Sequence, residues 1–333
     1  MIITISVLLI LLFLIVRYYQ ASKIEAPLHH VTLRLQWVAQ TQFAGYYVAK
    51  AKGFYKEAGL EVNIEEGGYA LSNIRSVKEG AEEFGCRWAS DLLPHYKDLI
   101  IIANIFKKNG LLLVSKKEKN IKTVYDLKNK NVSIWFIGNE LQLISLLSRY
   151  NIKNNEVNII PQKFDLSQFY NDEADVVSAM SYNELLTLNR TGYKNDRLNI
   201  IEYNNFSSDF PGDCIFTSKE YMAKHPDICE AFVKASIRGW EYSIKHPEEA
   251  AEIVVAQSKQ QDMDLVHQTE QMKAITSLIV SKNSPIGLTS EESIKNLIRI
   301  FLKNGIINEK IKPEQVFTNQ FINKPNKTVF YKN

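Results

Sequence analysis

Aromatic, amide and acidic side chains recur at one kind of place in the sequence, directly after segments with the apolar pattern of a buried strand. Four such groups occupy positions 37–42, 88–91, 138–140 and 182–184, and Asp213 follows further along the chain. In an open α/β sheet, ligands bind outside the carboxyl ends of the strands. We therefore predict that one cleft is lined by these ligand-binding residues: Trp37, Gln42, Trp88, Asp91, Gly138, Asn139, Tyr182, Glu184 and Asp213.

The residue types in this set favour the binding of a flat heterocycle. Trp37, Trp88 and Tyr182 offer aromatic faces, and stacking on such a ring contributes roughly 0.5–1.5 kcal/mol beyond the area that it buries. Asp91 and Glu184 can accept hydrogen bonds from an amino or amide N–H. A ligand analogue without that donor would leave a buried acceptor unpaired, which costs about 1–3 kcal/mol.

Some of these residues also have a purely structural interpretation. Trp37 ends an alternating strand and could belong to the core. Asp91 and Asn139 could each cap a helix. Trp135 and Trp240 are predicted to lie in the core and not in the cleft.

Sequence motifs for other kinds of chemistry do not occur. Gly67-Gly68 is not part of a phosphate-binding loop pattern, no Gly-x-Ser-x-Gly is present, and the six histidines lack metal-ligand spacing. A net charge of +3, with basic and acidic residues interspersed, gives no indication of a nucleic-acid partner. Cys86, Cys214 and Cys229 form no CxxC motif. We expect buried thiols, although one disulfide remains possible.

The chain length of 333 residues suits two lobes better than a single core. Strand-like segments separated by helical patterns indicate an α/β fold with mainly parallel sheets. The first lobe is predicted to contain strands at 31–37, 60–65, 83–87, 99–105 and 111–115. The second is predicted to contain strands at 132–136, 157–161, 175–180 and 198–203. A strand at 214–218 then returns to the first lobe, and long helices follow it to about residue 303.

The N-terminal segment is apolar from residue 2 to residue 16. At 1.5 Å per residue it covers roughly 22 Å, less than a hydrocarbon core of about 30 Å. Residues 1–22 are therefore predicted to be a signal peptide or a short uncleaved anchor, and residues 23–30 a linker. Arg17 and Lys23 follow the apolar run, and the positive-inside rule alone would then leave the remaining chain in the cytoplasm.

Several sequence strings resemble one protein family. The most recognisable is AKAKGFYKEAGLEV at 49–62, followed by FGCRWASD at 84–91, YDLK at 125–128, WFIGNE at 135–140 and SAMSYNE at 178–184. Together they resemble solute-binding proteins of the thiamine-pyrimidine-precursor type, which are relatives of the alkanesulfonate and taurine binders. Eukaryotic thiamine pyrimidine synthases share this fold, and the resemblance extends from about residue 31 to about residue 256.

The resemblance implies a two-lobed type II periplasmic-binding-protein fold with a hinge of two crossings, near residues 116–123 and 210–214. The expected divisions are 31–118 and 213–303 for the first lobe, 119–212 for the second, and 304–333 for a C-terminal tail. The implied function is the substrate-binding component of an ABC importer. Such a component is a monomer on the periplasmic side of the inner membrane, and its partners are the permease and ATPase subunits of the importer. The resemblance further implies that Tyr182 and Glu184 contact a pyrimidine-type ligand.

Two alternatives follow from the same resemblance. The first is a thiamine pyrimidine synthase-like enzyme, which uses pyridoxal phosphate and iron, whereas the binding protein needs no cofactor. Arg87 stands where the synthase has its lysine, Asp91 where it has its histidine, and Cys214 alone remains of its cysteine cluster. An arginine stays protonated and cannot form the imine. The second alternative is a membrane-anchored ectodomain that senses a ligand.

Overall fold

The computed structural model describes residues 27–322, except 69–70, 137, 207–209, 261 and 283. Ten strands occur in this described part of the chain: β1 (His29–Arg34), β2 (Leu60–Glu65), β3 (Phe84–Trp88), β4 (Leu99–Asn104), β5 (Leu111–Lys116), β6 (Asn131–Ile134), β7 (Asn158–Pro161), β8 (Val176–Met180), β9 (Leu198–Glu202) and β10 (Asp213–Ser218). They form two five-stranded sheets, with the orders β2-β1-β3-β10-β4 and β7-β6-β8-β5-β9. We call each sheet with its helices a lobe.

The two sheets share one plan. In the first sheet, β1 pairs in parallel with β2 and β3, whereas β10 runs antiparallel between β3 and β4. In the second sheet, β6 pairs in parallel with β7 and β8, whereas β5 runs antiparallel between β8 and β9. Each sheet is mainly parallel, as predicted, because helices connect most of its strands.

The helices are α1 (Ala44–Ala51), α2 (Phe54–Glu57), α3 (Asn73–Lys78), α4 (Ala89–Leu92), α5 (Asn139–Arg149), α6 (Ser167–Tyr170), α7 (Glu184–Arg190), α8 (Lys219–Lys224), α9 (Pro226–Lys245), α10 (Pro247–Gln257), α11 (Leu265–Ile279) and α12 (Glu291–Lys303). Two glycines let α1 and α9 approach closely: a Cβ on Gly239 would lie 1.9 Å from the Gly45 carbonyl oxygen. The indole of Trp240 fills the space beside Gly45 and is fully buried, as predicted.

The prediction that residues 111–115 belong to the first lobe is wrong. Strand β5 lies in the second sheet, where Leu111 pairs with Met180 and Leu113 with Ile201. A continuous apolar run indicates a buried strand, but it does not identify the sheet that the strand joins. The first crossing therefore lies at 105–110 and not at 116–123, and the predicted boundary at residue 118 is too late.

The two crossings between the lobes lie side by side. The backbone N–H groups of Ile105 and Phe106 donate to the Asp213 carbonyl oxygen at 2.9 and 3.1 Å, and Gly212 N donates to the Phe106 carbonyl oxygen at 3.0 Å. Gly212 faces the other crossing so closely that a Cβ would lie 2.8 Å from Phe106 Cβ. Paired crossings of this kind are suited to a hinge.

The terminal segments differ in part from their predictions. Strand β1 begins at His29, inside the predicted linker 23–30. Residues 304–322 of the predicted tail pack on the first lobe, because Ile307, Ile311 and Val316 are buried there and Thr318 N donates to the Ile101 carbonyl oxygen. Residues 1–26 and 323–333, which include the predicted signal or anchor segment, lie outside the described residues. Across the described ranges, no helix has the length and apolar character needed to cross a membrane.

Candidate functional site

A cavity of about 100 Å³ lies where the carboxyl ends of the two sheets face each other. The first lobe contributes the loop after β1 and the residues at the end of β3. The second lobe contributes segments that follow β6, β7 and β8. The lining residues are Gln36, Trp37, Gln40, Gln42, Arg87, Trp88, Asp91, Trp135, Asn139, Phe164, Met180, Tyr182, Asn183 and Glu184.

Seven of the nine predicted residues line this cavity: Trp37, Gln42, Trp88, Asp91, Asn139, Tyr182 and Glu184. Gly138 borders it through its contact with Asp91. Asp213 is buried behind the amide side chains of the cavity wall.

The sequence prediction missed several lining residues. Trp135 was expected in the core; it is buried but lines the cavity, and its indole N–H donates to the Lys163 carbonyl oxygen at 3.2 Å. Phe164 was not singled out, although it follows strand β7 in the same way that Trp37 follows β1. The rule that ligand-binding residues lie just beyond the carboxyl ends of strands, here called the strand-end rule, could have identified both residues. Each of them stands just beyond the carboxyl end of a strand.

Trp37 and Phe164 stack on each other from opposite lobes. Their ring centroids are 5.5 Å apart and their planes differ by 13°. Phe164 remains 63% exposed, so its ring covers the cavity without entering a core. The pair forms an aromatic cover over the cleft.

A chain of amide hydrogen bonds connects the cavity wall to α11. Asp213 accepts bonds from Gln36 Nε2 at 2.7 Å and from Gln42 Nε2 at 2.9 Å. Gln40 Nε2 donates to Gln42 Oε1 at 2.7 Å, and Gln271 Nε2 donates to Gln40 Oε1 at 3.0 Å. Burial raises the pKa of Asp213 to about 6 although these donors favour its charged form. Asp213 therefore fixes the orientation of the amides that face the cavity.

Arg87 and Asp91 form an ion pair at the end of β3. The Nε–Oδ2 distance is 2.8 Å, and the side chains are 13% and 5% exposed. Burial raises the pKa of Asp91 to about 6, and the neighbouring Arg87 guanidinium only partly offsets this effect. Asp91 does not cap a helix, because Trp88 is the N-cap of α4 and Asp91 lies inside its first turn.

Gly138 brings the second lobe against this ion pair. It is the N-cap of α5 with φ of 114°, and a Cβ there would lie 2.0 Å from Asp91 Oδ1. Only glycine tolerates both the left-handed conformation and this close approach. Its N–H donates to Glu140 Oε2 at 2.9 Å. Asn139 is the first residue of α5 and not its cap.

Glu184 is an acidic side chain that the second lobe contributes to the cavity lining. Its carboxylate accepts bonds from Met180 N at 2.8 Å and from Asn183 Nδ2 at 2.7 Å. Burial raises the pKa of Glu184, and it raises that of Tyr182 well above its usual value, so the phenol stays neutral. The carboxylate oxygens retain lone pairs that a ligand N–H can use.

Further contacts hold the two lobes together beside the cavity. Asn183 Oδ1 lies 2.8 Å from His267 Nε2 on α11, and Arg190 pairs with Asp264 at 2.8 Å.

The cysteines take no part in the cavity lining: Cys86, Cys214 and Cys229 are free and buried, as expected. Within the described part of the chain, no cluster of three or more His, Cys, Asp or Glu side chains could hold a metal ion.

Two lobes with matching sheets, paired crossings and a cleft at the strand ends define the fold of the periplasmic binding proteins. The periplasmic aliphatic sulphonate binding protein SsuA of Escherichia coli has this fold. It is similar to the chain with a TM-score of 0.66 and 13% identity, over 87% of this chain and 97% of SsuA.

Residues 40–250 match the family described as NMT1/THI5 like, and the chain belongs to that family. The chain is 25% identical over 232 residues to the riboflavin-binding protein RibY of Chloroflexus aurantiacus. This match covers 66% of the chain and 64% of RibY, slightly less than two thirds of that relative. The formylaminopyrimidine-binding protein of Halalkalibacterium halodurans is 21% identical over 322 residues, which cover 94% of the chain and 97% of the relative.

Proposed function

We propose that the protein is the substrate-binding component of an ABC importer that takes a small, flat, nitrogenous ligand, such as a thiamine-precursor pyrimidine, into the cleft between its lobes. The observation that carries this proposal is the parallel stack of Trp37 and Phe164 across the cleft. The ligands named in two relatives support the proposal, because riboflavin and formylaminopyrimidine both contain a flat nitrogen heterocycle.

Ligand entry requires the two aromatic rings to separate. A ring inserted between them would contact each face at roughly 3.5–4 Å, so the flanking rings would stand at least about 7 Å apart. The present centroid distance is 5.5 Å, and the cavity volume is about 100 Å³. For comparison, an engineered cavity of about 150 Å³ holds benzene. Opening at the paired crossings would supply the additional space.

The polar groups around the rings define the complementary face of the ligand. Asp91 and Glu184 accept hydrogen bonds from amino or ring N–H groups, one from each lobe. Trp88 and Tyr182 form the walls, and Gln42 presents an amide oriented by Asp213. Gly138 and Asn139 complete the site from the start of α5. A ligand bound to both lobes at once stabilises the closed arrangement.

The cellular role follows from this binding function. We propose that the protein acts as a monomer on the periplasmic side of the inner membrane, where it delivers its ligand to permease and ATPase subunits. Residues 1–22 would serve there as a signal peptide or an uncleaved anchor.

No chemical step is part of this proposal. Arg87 stands at the position that carries the imine-forming lysine in thiamine pyrimidine synthases, and its guanidinium is held by Asp91 at 2.8 Å. A protonated guanidinium does not attack an aldehyde. Appearance of the absorbance of a pyridoxal imine, after mixing the protein with pyridoxal phosphate, would support the synthase instead.

The test is thermal unfolding with a panel of aminopyrimidines and flavins. A ligand that binds only the folded state raises the unfolding midpoint, and the stabilisation grows with the logarithm of the ligand concentration above its Kd. We expect at least one flat heterocycle to raise the midpoint of the wild type, and the Trp37→Ala variant to lose most of that shift. Absence of any shift across the panel would refute the proposed ligand class.

A further inference from the structure

A carboxylate lies at two positions of the cleft where a bound anion would find a positively charged partner. The first such position is Arg87, which is the single cationic side chain among those lining residues that the structure describes. Its Nε is 2.8 Å from Asp91 Oδ2, and both side chains are largely shielded from water. An entering anion would have to compete with this short internal ion pair.

The second position is the N-terminus of α5, a helix of 11 residues. Free N–H groups at a helix N-terminus attract anions, because they add to the positive end of the helix dipole. Here Gly138 N donates to Glu140 Oε2 at 2.9 Å. The Asp91 carboxylate also lies directly against Gly138, where a Cβ would be 2.0 Å from Oδ1. The protein's own carboxylates therefore occupy the surroundings of this helix end.

We infer that Asp91, assisted by Glu140, excludes anionic ligands from the cleft and so restricts the site to neutral or cationic compounds. This inference rests on the proposed function, because it concerns the selectivity of the same site. The fold itself does not exclude anions, since a sulphonate-binding protein shares it.

The charge balance of the cleft gives the physical reason. Asp91 and Glu184 line the cavity and Asp213 lies behind it, whereas Arg87 is their cationic counterpart. With its pKa at about 6, Asp91 is ionised at pH 7.5. A sulfonate or phosphate would therefore meet like charges in a largely water-excluded space, and such juxtaposition of like charges strongly disfavours binding.

The experiment is calorimetric titration at pH 7.5 with methanesulfonate as the anionic probe and an aminopyrimidine as the neutral probe. The variants are Asp91→Asn, Glu140→Gln and their combination. Glu252→Gln, on an exposed position of α10 outside the cavity lining, removes the same charge and serves as the matched control. We expect Asp91→Asn to raise methanesulfonate affinity by about tenfold or more over the wild type, and the double variant to raise it further. Glu252→Gln should behave as the wild type.

Two results would overturn the inference. One is methanesulfonate binding by the wild type as tight as that of the variants, and the other is unchanged rejection in both single variants and in the double variant. If Asp91→Asn does not fold, Glu140→Gln alone decides, because Glu140 lies in the first turn of α5 and is only half-buried. If neither the aminopyrimidine nor any other flat heterocycle of the panel binds the wild type, the proposed function is contradicted. The methanesulfonate affinities of the wild type and the variants still decide the inference about anions in that case.

Discussion

Trp37 of the first lobe and Phe164 of the second stack on each other across the cleft, with ring centroids 5.5 Å apart and planes within 13°. The contact joins a residue beyond the end of β1 to one beyond the end of β7. Under the proposed function, a flat ligand would replace this contact by inserting between the two rings, and the pair would then couple ligand binding to lobe closure.

The Phe164→Ala variant should bind the ligand about tenfold more weakly, because it loses one stacking face worth roughly 0.5–1.5 kcal/mol and some buried area. Its stability should change little, since Phe164 is 63% exposed. Calorimetric titration measures the affinity. Tyr125→Ala is the control, because Tyr125 is 57% exposed and absent from the cavity lining. Equal effects of the two substitutions would contradict the role of Phe164.

The Glu184→Gln variant should lose affinity for an aminopyrimidine by about 1–3 kcal/mol, because an amide cannot offer the same two charged acceptor oxygens. An analogue without the amino group should bind the variant and the wild type similarly. Isothermal titration calorimetry of both ligands with both proteins gives the coupling energy between the Glu184 carboxylate and the amino group of the ligand. Glu202→Gln, on an exposed residue of β9, is the control. A coupling energy near zero would remove Glu184 from the site.

Gly138→Ala tests the closed arrangement. An alanine Cβ would lie 2.0 Å from Asp91 Oδ1, so the two lobes could not approach as they do here. We expect ligand affinity to fall at least about tenfold, since the ligand then lacks simultaneous contact with both lobes. Gly192→Ala is a matched control: its φ is +95° and nothing lies within 4 Å of a Cβ. It carries similar backbone strain without touching the cleft, and equal loss of affinity in both variants would contradict the account.

Asp213 should give the protein a pH-dependent stability. Burial raises its pKa to about 6 in the folded state, against about 3.9 when unfolded. Between these values the folded state binds more protons than the unfolded state, so this residue contributes more stability as the pH falls. The unfolding free energy of the wild type, relative to Asp213→Asn, should therefore rise by about 1–3 kcal/mol from pH 7.5 to pH 4.5. Urea unfolding measures the difference, and a decrease over this range would contradict the pKa assignment.

Much of the fold could be predicted from the sequence. The predicted segments match all the strands of the described chain to within a few residues, and 60–65 coincides with β2. Alternating or continuous apolar runs mark buried strands regardless of their partners. The partner of β5 could not be predicted in this way, because Leu111 and Leu113 would be equally buried in either sheet.

The site could be predicted in part. The strand-end rule identified residues such as Trp88 and Tyr182 because the chain positions them by topology alone. It could not tell that Asp213 faces the amides of Gln36 and Gln42 and stays behind the cavity wall. That arrangement depends on the register between β10 and β3. The ion pair of Arg87 and Asp91 was missed for a different reason. Arg87 was considered only as a substitute for the synthase lysine, whereas Asp91 was interpreted as a ligand acceptor, a helix cap or a substitute for the synthase histidine, and the two were never paired.

The central claim is that the cleft binds a flat nitrogenous ligand, and mass spectrometry of the small molecule that copurifies with the intact protein tests it most directly. Native spectra would give the mass of the complex, and denaturation would release the ligand for identification. We predict one nitrogen heterocycle per chain, present in the wild type and depleted in Trp37→Ala. Release of an aliphatic or anionic compound, retained equally by Trp37→Ala, would contradict the claim.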